Sequence, residues 1–520
     1  RAEAEGRSMG SGGGMSETSG MVVGSVAERP VVSVPPRRSI ARNVVSLLLG
    51  QIGTMAISIV ISAIIGRVLG AASLGLLYLV MASINFAGIF VEWGQQGYLV
   101  AEVAKFRERS GELLGTALVA RFLLAVVSYA LALGCAVVLG HGPEVRSLLV
   151  LMAVCMIPGN LATTLSQGFR GHDRMELEAM TNIANSVCNL AFLLLAMKLH
   201  GGLRSVVLAG GGSVAVSLVL SLFLYRRVKM PPLRLNRQRL RGILAGGAPF
   251  VFFNLALSGH PYVDANLIAM LASPSVVGWY AAAQRFVGTL IFPAGIAGVA
   301  LYPTLARFSG DVAALRGKSR DALRLVLMLG ALVATGTALY ADVAVSLVYR
   351  KEGFAPAIDI LRALGPYLFL MFVNILLGNA ILAIGKARTA FTVAKFVALL
   401  IGGLLDVILI PWFESRYGNG AIGLAIALTT AELVMTIAAL RLAPDGIVER
   451  SHWRLAGAAL LSAGAMLLAG TALQDTPLVV RFVLPLAVFA VAIRATGLFT
   501  VSDGRRIWEA ARVRPQSAAA

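Results

Sequence analysis

Two full charges, Asp264 and Arg285, interrupt the otherwise oily stretch PYVDANLIAMLASPSVVGWYAAAQRFVGTLIFPAGIAGVALYPTLAR (261–307). The stretch reads as an apolar helix, a tight Ser273-Pro274-Ser275 turn and a second apolar helix ending at Tyr302-Pro303. A charge at the centre of a bilayer costs about 2.5–3.5 kcal/mol on insertion scales, so such residues face a bundle interior or a cavity and mark functional sites. Asp264 and Arg285 could line a water-accessible path, or pair with one another and hold two helices together. Lys395 and Asp406 also fall within apolar sequence. Their separation of eleven residues is almost three turns at 3.6 residues per turn, which puts both on one helix face. Arg121 lies near one end of its apolar run, where a long side chain can snorkel to the headgroups; Arg324 and Arg481 read the same way. Glu92, beside Trp93 and Gln95-Gln96, could bind a coupling cation or assist gating, or could be a solvated neighbour of an interfacial Trp. Arg67 ends the first apolar run, where a headgroup contact is the simplest account.

The elements that must position these residues are membrane spans. The 520 residues are 58% hydrophobic and only 14% charged, against about half and a quarter in soluble domains, so the chain is a polytopic membrane protein. Apolar runs of about 20 residues, enough for a hydrocarbon core about 30 Å thick, recur throughout. About fourteen spans are expected, and no polar stretch is long enough for a soluble domain, which argues against an enzyme with a globular active site. Pro158-Gly159-Asn160 in the fourth span and Pro293 with Gly295 in the eighth are expected kinks.

The net charge of +19 lies mostly in loops on alternate sides. Lys105, Arg107 and Arg109 come first, then the dense run from Arg226 to Arg241, then Arg307, Arg316, Lys318 and Arg320, Lys386 and Arg388, and Arg441, Arg450 and Arg454. This is the asymmetry that orients helices in a membrane, with both termini cytoplasmic; no basic face with interleaved aromatics suggests nucleic acid. Cys135, Cys155 and Cys188 sit in apolar runs and read as buried thiols, with neither a disulfide framework nor a metal site. Gly418-x-Gly420-x-x-Gly423 lacks the preceding strand that a dinucleotide site needs, and no Gly-x-x-x-x-Gly-Lys-Ser/Thr motif occurs, so no cofactor is expected.

The expected organisation is a disordered tail over 1–39, six spans over 40–225, a basic linker over 226–242 and six more spans over 243–443. A terminal helix pair over 452–497 and a cytoplasmic tail over 498–520 complete it. A faint internal repeat supports two lobes: LGAASLGLLY (69–78) and LASPSVVGWY (271–280) each join two spans through a short turn and end in Tyr. Parallel repeats are common in transporters that rock one half against the other.

At 278–307, GWYAAAQRFVGTLIFPAGIAGVALYPTLAR resembles the eighth helix of the polysaccharide and lipid-linked oligosaccharide flippases, members of the multidrug/oligosaccharidyl-lipid/polysaccharide exporter superfamily. PYVDANLIAML looks like their seventh helix, QGFRGHDRMELEA (167–179) a loop of the polysaccharide-transporter branch, and YGNGAIGLAIALTTAELVM (417–435) its twelfth helix. IFVEWGQQGYLVAEVAKFR (89–107) is similar to the second helix and following loop of the lipid II flippases. That family, however, carries paired arginines where this chain has the uncharged Ser83-Ile84-Asn85-Phe86-Ala87, which favours another lipid-linked glycan.

The resemblance implies an all-α exporter that moves a polyprenyl-pyrophosphate-linked oligosaccharide, such as an O-antigen or exopolysaccharide unit, across the cytoplasmic membrane. Membrane lipids, and a glycan polymerase and glycosyltransferases, would be its partners. It places a phosphate-binding Arg at Arg285, and a guanidinium fork suits phosphate oxygens while staying charged. The substrate-binding candidates are then Arg285, Asp264, Lys395, Asp406, Arg121 and Arg67, and the gating or ion-coupling candidate is Glu92. Asn182, Asn185 and Asn189 share a face of the fifth span; interhelical hydrogen bonding, worth about 1 kcal/mol, is favoured over sugar contacts. The last two spans could groove a polyprenyl tail. Other readings are a multidrug or metabolite antiporter of the same superfamily, a lipid II flippase and a non-transporting scaffold in a glycan-synthesis complex.

Overall fold

The computed structural model describes residues 37–307, 312–350, 352–385, 387–444, 447–448 and 450–498. The expected tails lie almost wholly outside these residues, as does Lys386. Among the described residues every regular element is helical. In chain order they are α1 (Arg37–Glu92), α2 (Gln95–Lys105), α3 (Ser110–Val138), α4 (Pro143–Gly171), α5 (Met175–Lys198), α6 (Leu203–Arg227), α7 (Arg237–Ser258), α8 (His260–Leu271) and α9 (Pro274–Leu290). There follow α10 (Phe292–Arg307), α11 (Val312–Tyr349), α12 (Pro356–Ala363), α13 (Gly365–Ile384), α14 (Arg388–Tyr417), α15 (Gly420–Leu442), α16 (Arg450–Ala472) and α17 (Leu478–Ala495).

Eleven helical segments among the described residues are long and apolar enough to cross a membrane. The first of them holds two spans, because Gly70 (φ 79°, ψ 176°) folds α1 into two arms. Two further spans are each built from a broken pair, α7–α8 and α9–α10. The protein is therefore an all-α, multi-pass membrane protein.

The breaks fall where the backbone chemistry demands them. Pro261 has no N–H for the carbonyl four residues back, so the seventh span, expected as one helix over 243–271, stops at Ser258 and restarts at His260. The eighth span breaks between Leu290 and Phe292, just before Pro293. The fourth runs through Pro158 as a single helix. There the Asn160 amide donates to the Tyr129 hydroxyl (2.7 Å) and the Asn160 carbonyl accepts from Arg121 (3.2 Å). The second span, expected as continuous to residue 98, is interrupted at Trp93 (φ 47°) and Gly94 (φ 63°). That interruption lets the Trp93 indole donate to the Leu244 carbonyl of α7 (2.9 Å).

The basic linker is not a free tether. Only residues 228–236 are non-helical, and they run along the start of α3. Arg234 N–H donates to the Gly111 carbonyl (3.1 Å), Asn236 N–H to the Thr116 hydroxyl (3.0 Å), and the Tyr225 hydroxyl to the Pro231 carbonyl (2.6 Å). Gly111 and Gly115 leave the room for this docking, since a Cβ on either would strike linker backbone. The cysteines are unpaired, and Cys135, expected to be buried, is exposed on the outward face of α3.

The terminal pair α16–α17 packs on α11. Arg481 meets both carboxylate oxygens of Asp342 (2.9 and 2.8 Å), and Tyr340 stacks on Phe482 with ring centroids 4.2 Å apart. Arg481 is thus an anchor rather than a snorkelling side chain. Removing one partner of such a partly buried pair leaves the other uncompensated, between the small cost of surface pairs and about 3–5 kcal/mol for fully buried ones. Asp342→Ala is expected to lower the thermal unfolding midpoint of the detergent-solubilised protein by several degrees. The apolar double replacement Asp342→Leu with Arg481→Leu should recover much of that loss, which differential scanning fluorimetry reads directly.

Candidate functional site

A cavity of about 690 Å³ opens between both arms of α1 and helices α4, α5, α6, α8 and α9. Among the described residues Arg285 on α9 supplies the only charged side chain in its wall. The guanidinium donates to the Ser58 hydroxyl of the first arm of α1 (2.7 Å), and among the described residues no carboxylate pairs with it. The rest of the polar wall is neutral: the carboxamides of Gln51, Asn85, Asn185, Asn189 and Gln284, and hydroxyls from α1, α5, α6 and α9. Gln51, Thr54, Ser58 and Ser62 recur every three or four residues, so one face of the first span lines the cavity. That polar stripe is readable in the sequence but is masked by the apolar residues between its members.

Asp264 does not meet Arg285. It is fully buried on α8, where its carboxylate takes a 2.8 Å hydrogen bond from His260 Nδ1 one turn earlier. Asp406 of α14, 1% exposed, lies within electrostatic range of Asp264 from the neighbouring helix, and neither of its oxygens has a hydrogen-bond partner among the described residues. Gly402, one turn before Asp406, sits against the His260 ring; a Cβ there would lie 2.9 Å from Nε2. Further along α14, Lys395 lies 3.9 Å from Glu432 of α15, whose carboxylate accepts from Asn374 (2.5 Å). Asp264, Lys395 and Asp406, expected to share a binding site with Arg285, therefore form a separate buried cluster outside the cavity wall. The physical reason is the break at Gly259–Pro261: Pro261 and Tyr262 line the cavity, while His260 and Asp264 face α14.

Arg121 does not snorkel. It is 1% exposed inside the first six spans, with Glu92 within electrostatic range. Glu92 and Arg170 are bridged by Gln96, whose amide donates to Glu92 (3.1 Å) and accepts from Arg170 (3.0 Å); Arg170 forks onto Glu178. Neither Arg121 nor Glu92 lines the cavity. Arg67 is exposed, and its guanidinium caps the C-terminus of α11 through the carbonyls of Val348 (2.8 Å) and Leu347, where a helix leaves acceptors unfilled. Of the Asn residues on the fifth span, Asn185 and Asn189 line the cavity and Asn182 is exposed.

One end of the cavity is shut by direct backbone contact. The two repeat segments pack on each other: Tyr78 meets Tyr280 edge-on with centroids 5.8 Å apart, and Gly75 and Gly278 lie at the crossing of α1 with α9. A Cβ on Gly278 would overlap the Ala71 carbonyl. Overpacking by Gly278→Val, at about 1–3 kcal/mol against the closed arrangement, would shift the open-to-closed ratio by about 5–150-fold. The expected readout is faster labelling of a cysteine at Ile61→Cys by a membrane-impermeant thiol reagent added from that side.

The sequence profile of a family described as polysaccharide biosynthesis protein matches residues 40–309, more than half of the chain. No curated protein matches it by sequence. Among solved structures, the lipid II flippase MurJ in an inward closed conformation is similar with a TM-score of 0.66 at 14% identity, covering 87% of this chain and 98% of that one. An inward-facing multidrug resistance MATE family transporter of the MOP superfamily gives 0.62 at 17% identity, over 78% of this chain and 98% of its own. A MOP superfamily transporter from Pyrococcus furiosus, noted for a binding pocket of reversed polarity, gives 0.55 at 17% identity over 79% and 97%. These likenesses are of fold. Together with the profile match they mean that this chain belongs to the polysaccharide biosynthesis protein family and has the fold of MOP superfamily transporters.

Proposed function

We propose that the protein is a flippase that carries a polyprenyl-pyrophosphate-linked oligosaccharide across the cytoplasmic membrane by alternating access. The observation that carries this reading is Arg285, a lone cation on the wall of an otherwise neutral, hydroxyl- and amide-lined cavity between the two halves of the bundle. A pyrophosphate needs such a cation. Its charge-assisted hydrogen bonds to a guanidinium are about twice as strong as neutral ones and can be bidentate. Ser58 holds the guanidinium in the cavity and is the partner that phosphate oxygens would displace.

The alternative of an antiporter for organic cations wants carboxylates in the cavity, and the carboxylates here lie elsewhere. Two buried carboxyls near one another, Asp264 and Asp406, are not both ionised without a compensating proton or cation, and His260 already donates to Asp264. That cluster is the part of this reading that would couple transport to an ion gradient. The distribution of Lys and Arg supports cytoplasmic termini, with the Gly75–Gly278 crossing on the outer side. Exposed apolar residues on α16 and α17, among them Leu461, Leu468 and Val479, offer lipid-facing surface along which a polyprenyl tail can run. A polymerase and glycosyltransferases would receive and supply the substrate.

Translocation of a fluorescent polyprenyl-pyrophosphate oligosaccharide in proteoliposomes tests this directly. Loss of charge-assisted bonds worth about 1.5–3 kcal/mol predicts that Arg285→Ala slows transport about 10–100-fold, with Arg285→Lys between. An Arg285→Ala protein that transports at the unaltered rate would leave Arg285 a helix contact to Ser58. Movement of an organic cation by the intact protein, with none of the lipid, would favour the antiporter.

A further inference from the structure

We infer that the glycan carried is uncharged, and that a wall of amides and hydroxyls on α5 is what reads it. This rests on the flippase reading. The wall comprises Asn185, Ser186 and Asn189, one turn of helix facing the cavity, with Ser213 of α6 and Asn85 of α1 beside it. Arg285 comes from α9, in the other half of the chain. The cation thus comes from α9, with Gln284 and Thr289 beside it, while the amide and hydroxyl cluster on α5 and α6 belongs to the first six spans.

Carboxamides both donate and accept, which matches sugar hydroxyls and acetamido groups, themselves donors and acceptors. The Asn185 side-chain oxygen has no hydrogen-bond partner among the described residues, and a turn of this carboxamide toward the cavity would offer it to a ligand hydroxyl. An acidic sugar fits badly. Its carboxylate would lose water on entering the cavity, and a buried charge without a partner is strongly penalised. A pyrophosphate carries more negative charge than one guanidinium neutralises, and among the described residues the wall holds no second cation.

The experiment compares three lipids in proteoliposomes: the bare polyprenyl pyrophosphate, the same carrier with a neutral oligosaccharide, and the carrier with a uronate-containing oligosaccharide of equal length. The intact protein should move the neutral glycolipid about a hundredfold faster than the acidic one. Asn185→Ala combined with Asn189→Ala should slow the neutral glycolipid about tenfold or more while leaving the bare carrier within about twofold. Asn189→Lys should narrow the gap between acidic and neutral glycans. Equal movement of the two glycolipids, or an equal loss for the bare carrier in the double variant, would overturn the neutral-glycan assignment and leave the flippase reading intact. Movement of none of the three lipids would overturn the flippase reading, and this inference with it.

Discussion

A charge inside a bilayer must be met by the protein itself, and the rest of this structure follows from that constraint. The intramembrane charges are placed in three ways. Arg285 keeps a single hydroxyl partner and faces open space. His260, Asp264 and Asp406, with Lys395 and Glu432 nearby, are folded into a cluster between α8, α14 and α15. Glu92, Gln96 and Arg170 run on to Glu178 within the first six spans, and Arg121 is buried within electrostatic range of Glu92, donating to the Asn160 carbonyl. Among the described residues Arg285 is the charged group that lines this cavity, while the other two groups are packed between helices away from it.

Backbone breaks do the positioning. Without the interruption at Gly259–Pro261, α8 would continue the face of α7 instead of turning Tyr262 toward the cavity and Asp264 toward α14. Without Trp93 and Gly94 in left-handed conformations, the Trp93 indole would not reach the Leu244 carbonyl across the bundle. Each break costs backbone hydrogen bonds. In hydrocarbon those must be replaced by neighbouring protein groups, so breaks are tolerated where helices are packed or line a cavity.

The internal repeat acquires a physical meaning in three dimensions. Its two segments do not merely occupy corresponding places; they touch, through Tyr78 and Tyr280 and the glycine crossing, and close one end of the cavity. Arg67 adds a third tie at that end by capping α11.

Helical class and a multi-pass membrane character were legible in the sequence, because twenty-residue apolar runs report themselves without tertiary context. That Arg285 would face a cavity or the bundle interior was legible for a related reason: an arginine in hydrocarbon has few places to go. The polar stripe Gln51–Ser62 was present and missed, since isolated Ser and Thr in a span bond their own helix as readily as a ligand. Whether a charge faces a cavity, a second charge or a helix end depends on the rotation of each helix about its axis and on where it breaks. Asp264 and Arg285 sit in adjacent spans yet do not pair, and Arg121, expected near the end of its span, is buried about three turns inside α3. Helix rotation is set by packing between segments hundreds of residues apart, and only the tertiary structure decided it.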